Sequence, residues 1–78
     1  MFTPLTFKQA TKLRSGQIIY LDPKIETNSD GTCQRFKVTS VKLWKRNPDR
    51  IEVRLQRGLY QYARLGADQL SQFSLNEV

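Results

Sequence analysis

Side chains able to do covalent or acid–base chemistry are few and scattered in this sequence. Cys33 is the only cysteine and no histidine is present, so a thiol nucleophile would lack its usual base and a zinc site its usual ligands. Asp22, Glu26 and Asp30 share a polar segment, but Asp22 and Asp30 each precede a Pro or Gly in a typical turn position. We predict no catalytic residue, no metal site and no cofactor, so we do not expect an enzyme. Cys33 should be an ordinary loop residue that Ser can replace without loss of thermal stability.

Positive charge is the feature that points most directly to a ligand. The chain has 13 Lys and Arg against 7 Asp and Glu, a formal net charge of +6. Nine of the basic residues and only two acidic ones fall within residues 35–65, so this segment carries +7 and the remainder −1. The single Trp lies among these basic residues, and cations beside an aromatic ring suit phosphate contact with base stacking.

The predicted nucleic-acid contacts are therefore Lys42, Trp44, Lys45, Arg46, Arg54 and Arg64. Two alternatives stay open for the same residues. The basic surface could dock an acidic protein, as an adaptor or an inhibitor, or it could simply be the solvent-facing side of strands. Trp44 could also close the core, which we hold slightly ahead of a stacking role because buried aromatic residues are common.

The clearest element is a strand over residues 51–57, where apolar and polar residues alternate without a fault. Upstream, Phe36 and Val38 have one parity while Val41 and Leu43 have the other, which predicts a bulge or bend between them. Residues 45–50 contain a Pro flanked by Asn and Asp, and we expect them to form the turn that joins the two strands.

A third strand over residues 59–65 should follow a reversal at Gly58, but its register is open. A two-residue loop would place Tyr60 and Tyr62 in the core, whereas a three-residue loop with a Gly bulge would expose both beside Arg54. We favour the buried arrangement, because two Tyr rings are a large apolar area for a small domain to leave in water.

The remaining elements are short. Thr6 can cap a helix over residues 7–14, and residues 17–21 are an apolar run typical of a buried strand. Residues 22–34 form a polar excursion that turns near 28–31, residues 66–70 look like one helical turn, and residues 72–75 alternate like a last strand.

This order of elements over residues 17–75 resembles the SH3-like small barrel. The resemblance implies a mainly β fold, a five-stranded barrel preceded by the short helix, with residues 1–78 as one domain. Signalling SH3 domains bind Pro-rich peptides, but the acidic excursion here lacks an adjacent Tyr cluster, so we do not expect that groove. The runs at 42–50 and 58–62 are also similar to small uncharacterised bacterial and mobile-element proteins, which implies no particular activity.

Length and composition add limits. With 78 residues and 38% hydrophobic residues, the chain has the size and composition of one small domain. No apolar run approaches the roughly 20 residues that span a bilayer, and the first residues lack the pattern of a secretory signal. We expect a cytoplasmic monomer with no membrane contact.

Overall fold

The fold is mainly β, as predicted, with a short helix near the N-terminus and a 3-10 helix before the last strand. A computed structural model describes residues 2–77. Its elements are α1 (Phe7–Ala10), β1 (Ile18–Leu21), β2 (Arg35–Trp44), β3 (Asn47–Arg57), β4 (Gln61–Leu65), a 3-10 helix (Ala67–Gln72) and β5 (Phe73–Ser74).

The five strands form one antiparallel sheet in the order β4-β3-β2-β1-β5, curled into a half-barrel. The alternation predicted for β3 is confirmed, since Ile51, Val53 and Leu55 are buried while Arg54 is exposed. The buried core cluster contains Leu5, Ala10, Leu13, Ile19, Leu21, Val38, Ile51, Val53, Leu55, Leu65, Leu70 and Phe73. One side of the curled sheet is therefore apolar and packed, and the other is left to solvent.

The predicted change of parity in β2 is a β-bulge at Thr39. Val38 pairs with Leu55 and Ser40 pairs with Arg54, so two residues of β2 stand opposite one residue of β3. The Thr39 hydroxyl donates a hydrogen bond of 3.1 Å to the carbonyl oxygen of Arg54. This bulge lets Val38 before it and Val41 after it both pack in or against the core, although their sequence parity differs; Leu43 stays 52% exposed.

The β2–β3 turn is shorter than the predicted one over residues 45–50. Only Lys45 and Arg46 form it, because Trp44 already pairs with Asn47. Leu43, the residue before Trp44, pairs with Ile51 rather than with Pro48. Residues 48–50 therefore have no partner on β2 and bulge out of β3. Pro48 lies in that irregular part of the strand, where its missing N–H costs no regular ladder bond.

The β3–β4 hairpin corrects the expectation for the two tyrosines. Its loop is residues 58–60, with Gly58 at φ +66°, and Gln56 pairs with Tyr62. The three-residue loop and the exposure of both rings agree with the second arrangement left open by the sequence, although Leu55 pairs with Ala63 rather than with Leu59, the partner expected for that loop. Tyr60 is 88% exposed and Tyr62 is 72% exposed, so the favoured burial of both rings is wrong.

The first part of the chain also differs in detail. Thr6 caps α1 through a capping box with Gln9, as two reciprocal hydrogen bonds show, but the helix ends at Ala10 rather than near residue 14. The excursion between β1 and β2 closes through a Thr27–Cys33 bridge. Its Cys33 is buried rather than exposed in a loop.

Within the same excursion, the Thr32 hydroxyl and the Thr32 amide both donate to the Asp30 carboxylate and hold the pKa of Asp30 below its ordinary value. The turn predicted near residues 28–31 is thus tied together by side-chain hydrogen bonds. Across residues 2–77, no helix combines the length and the apolar character needed to cross a membrane.

Candidate nucleic-acid interface

The side of β2, β3 and β4 that faces away from the core carries most of the predicted contacts. We call this surface the outer face; its side chains are Lys37, Ser40, Lys42, Trp44, Glu52, Arg54, Gln56, Tyr62 and Arg64. Lys42, Arg54 and Arg64 are all exposed. Lys42 pairs in register with Glu52, and Arg54 pairs with Arg64. The pairing of three strands thus places Lys42, Arg54 and Arg64, which are up to 22 positions apart in the sequence, on one surface.

Arg54 and Arg64 share one carboxylate. Arg54 Nε lies 3.6 Å from Glu52 Oε2, and Arg64 Nη1 lies 3.5 Å from Glu52 Oε1. Both arginine side chains stay more than half exposed, at 56% and 73%. Like charges directly opposite on a sheet repel each other, and one carboxylate between two guanidinium groups leaves a net positive charge here.

Trp44 lies at the end of this surface and is only half-buried. Lys42 Nζ is 4.9 Å from the centroid of its ring and Arg50 Cζ is 4.1 Å from it. The core cluster found within residues 2–77 does not contain Trp44, so the alternative in which it closes the core is wrong. Two cations already lie over the indole, which therefore orients Lys42 and Arg50 by cation–π attraction.

Lys45 and Arg46 are exposed in the turn beyond Trp44. They extend the positive charge past the end of the strands. Two other basic residues lie at the far ends of β2 and β3 and have other partners: Arg35 is 3.6 Å from Glu77, and Arg57 lies over the Phe36 ring at 5.9 Å. The charge counted in the sequence therefore concentrates on the outer face and its turn, but not all of it is there.

Tyr62 is a member of the outer face that was not among the predicted contacts. Its hydroxyl donates a long hydrogen bond of 3.5 Å to the Leu59 carbonyl oxygen. Opposite it, Gln56 Nε2 donates to the Gly58 carbonyl oxygen at 3.0 Å. The first bond links the Tyr62 ring to the β3–β4 loop, and the ring stays 72% exposed to solvent. The sequence contained a signal for this placement, because Tyr62 is two residues from Arg64 and alternate residues share a face.

Among residues 2–77, no group of three or more His, Cys, Asp or Glu side chains is arranged to hold a metal ion. What the site offers chemically is an open basic surface with one accessible Tyr ring. Comparison with protein-family models, curated proteins and solved structures gives no match for this chain.

Proposed function

We propose that this chain is a small non-catalytic module that binds nucleic acid through the outer face. The observation that carries the proposal is the convergence of Lys42, Arg54 and Arg64 on one exposed surface, with Glu52 as the only acidic member of that surface. Phosphate oxygens are the natural partners of such a surface, since guanidinium groups bind them through paired hydrogen bonds.

We further infer that the curled sheet is an SH3-like small barrel, in a monomer that works in the cytoplasm. The strand order β4-β3-β2-β1-β5 and the 3-10 helix directly before β5 support that assignment. The fold does not by itself select a ligand. The choice of nucleic acid depends on the side chains of the outer face.

Binding should be weak and tolerant of sequence, because contacts to phosphates carry no base information. If four of the basic side chains neutralise phosphates, the slope of log affinity against log salt should be about −3.6 on duplex DNA and about −2.8 on a single strand. The test is a salt titration of the full chain with fluorescein-labelled 20-mers, measured by fluorescence anisotropy from about 50 mM salt upwards.

A charge-matched pair of variants makes this test specific. Replacing Lys45 and Arg46 together by Ala should lower affinity on every sequence and flatten the duplex slope by about two units. The control replaces Lys8 and Lys12, which are also exposed but lie outside both the outer face and its turn, and should change the slope little. Absence of binding at about 50 mM salt, where the electrostatic contribution is strong, would contradict the proposal and make an acidic protein surface the partner to test.

A further inference from the structure

A shallow depression lies on the outer face toward the open edge of the sheet. Its lining residues are Thr39, Arg54, Leu55, Tyr62, Ala63 and Arg64. The bulge places Thr39 there, with its hydroxyl bonded to the Arg54 carbonyl oxygen. β4 is the last strand on this side of the sheet, so the depression is open to solvent along that edge.

The walls of the depression combine two chemistries. Arg54 and Arg64 contribute two guanidinium groups that share the single carboxylate of Glu52, so an added anion would relieve their mutual repulsion. Tyr62 contributes an aromatic surface that is 72% exposed and is tied to the loop through the Leu59 carbonyl oxygen. A ring that is already positioned loses little conformational entropy when a planar group stacks on it.

We propose that this depression is the subsite for one nucleotide of a single-stranded nucleic acid, with the base stacked on Tyr62 and the phosphate between Arg54 and Arg64. The inference rests on the proposed function and names its substrate class. Bases in a duplex cover each other's faces, whereas unpaired bases can stack on an aromatic side chain. Trp44 does not serve this purpose, because Lys42 and Arg50 already lie over its ring.

The experiment compares two probes on the full chain. One is a labelled mixed-sequence 20-mer, and the other is the same 20-mer annealed to its complement. The wild-type protein should bind the single strand more tightly. Tyr62→Ala should weaken single-strand binding about 5-fold to 150-fold, the range expected for one stacked base, and should leave duplex binding nearly unchanged.

Three further variants separate stacking from other effects of the substitution. Tyr62→Phe keeps the ring and loses only the hydroxyl bond to Leu59, so it should bind much more tightly than Tyr62→Ala, while Tyr62→Leu keeps apolar bulk without the ring and should behave like Tyr62→Ala. Leu59→Ala is the matched control, because Leu59 is 75% exposed in the neighbouring loop and does not line the depression. It should bind as the wild type does. Circular dichroism melting checks that each variant is folded.

The outcomes distinguish this inference from the proposed function. Equal affinity for both probes, with Tyr62→Ala unchanged or weakened on both alike, would overturn the single-strand subsite and leave duplex-tolerant phosphate binding in place. Full binding by Tyr62→Leu would overturn the stacking role of the ring. Failure of the wild-type protein to bind either probe would overturn the proposed function, and the subsite with it.

Discussion

Trp44 lies between the folded sheet and the basic side chains on its surface. The indole is half-buried and has Lys42 and Arg50 over its ring, so its removal affects the position of charges more than the packing of the core. A substitution of Trp44 should therefore change stability and binding to different extents, and the two effects can be measured separately.

We predict that Trp44→Ala stays folded. Its cost should be about 0.5–3 kcal/mol, below the roughly 3–5 kcal/mol of a fully buried Trp, and oligonucleotide affinity should fall because Lys42 and Arg50 lose their support. Urea unfolding followed by far-ultraviolet circular dichroism measures the first effect and anisotropy the second. Leu55→Ala is the core reference, since Leu55 is fully buried; a Trp44→Ala variant as unstable as Leu55→Ala would contradict the surface placement.

Cys33 leads to a prediction opposite to the one that its polar sequence neighbours suggest. It is only 5% exposed, so the hydroxyl of Cys33→Ser would be taken out of water and would need a hydrogen-bond partner. We expect a loss of about 1–3 kcal/mol, which for a domain of this size lowers Tm by about 4–8 °C for each kcal/mol. Cys33→Ala, which buries no hydroxyl, should lose less. An unchanged Tm for Cys33→Ser would instead support an ordinary loop residue.

Tyr62 shows where single-residue reasoning from the sequence fails. The size of its ring favours the core, while the charge of Arg64 favours solvent. The two residues are two positions apart on one strand and must share a face. Alternation applied to both residues together, rather than to each alone, predicts an exposed Tyr62.

Among the elements, β3 is predictable from the sequence and the loops joining it to its neighbours are less so. Seven alternating residues specify a strand and its buried side. The parity change in β2 predicts a bulge or a bend between Val38 and Val41, and the structure has the bulge at Thr39. Register across the β3–β4 loop cannot be derived, because Gly58 accepts several loop lengths and each length places different residues opposite one another. At the β2–β3 turn, Pro48 indicates a reversal, yet it lies in a bulge of β3 and only Lys45 and Arg46 turn.

The β3–β4 hairpin gives a test at the same scale. Gly58 has φ +66°, a left-handed conformation that costs an L-residue about 1–2 kcal/mol. A Cβ at Gly58 would meet no heavy atom within 4 Å, so the backbone alone should determine the effect. Gly58→Ala should therefore lose about 1–2 kcal/mol of stability in urea unfolding. Gly58→Asn should lose less, because Asn tolerates this conformation better. Equal losses for both variants would show that the loop moves to another conformation.

At the scale of the whole molecule, the sheet has a central strand, β3, that is paired along both edges, and an end strand, β4, that is paired along one edge. β3 lies between β2 and β4, whereas β4 has a neighbour on one side only within residues 2–77. Curling brings the two ends of the sheet closer without joining them, since β4 and β5 are the two end strands of its hydrogen-bonded order. Local stability should therefore differ strongly between strands.

Native-state hydrogen exchange should reveal this difference. Amides of β3, such as those of Val53 and Leu55, should exchange most slowly, because both sides of the strand are hydrogen-bonded and the two side chains are fully buried. The amides of β4 that point away from β3 should exchange much faster. NMR-detected exchange in D2O gives the rates residue by residue. Protection of those β4 amides comparable to that of β3 would show that another strand covers the edge.

The alternation of buried and outward-facing residues along β3 also affects how the sequence of this protein can evolve. Neighbouring positions on that strand have different roles: Val53 and Leu55 pack in the core, whereas Glu52 and Arg54 lie on the surface proposed to bind the ligand. A randomised library at positions 42, 54, 62 and 64, all of them exposed, should therefore yield mostly folded members with divergent preferences, because exposed substitutions usually alter stability by only about 0.5 kcal/mol. Selection on these exposed positions can thus change ligand preference with little effect on the stability of the fold.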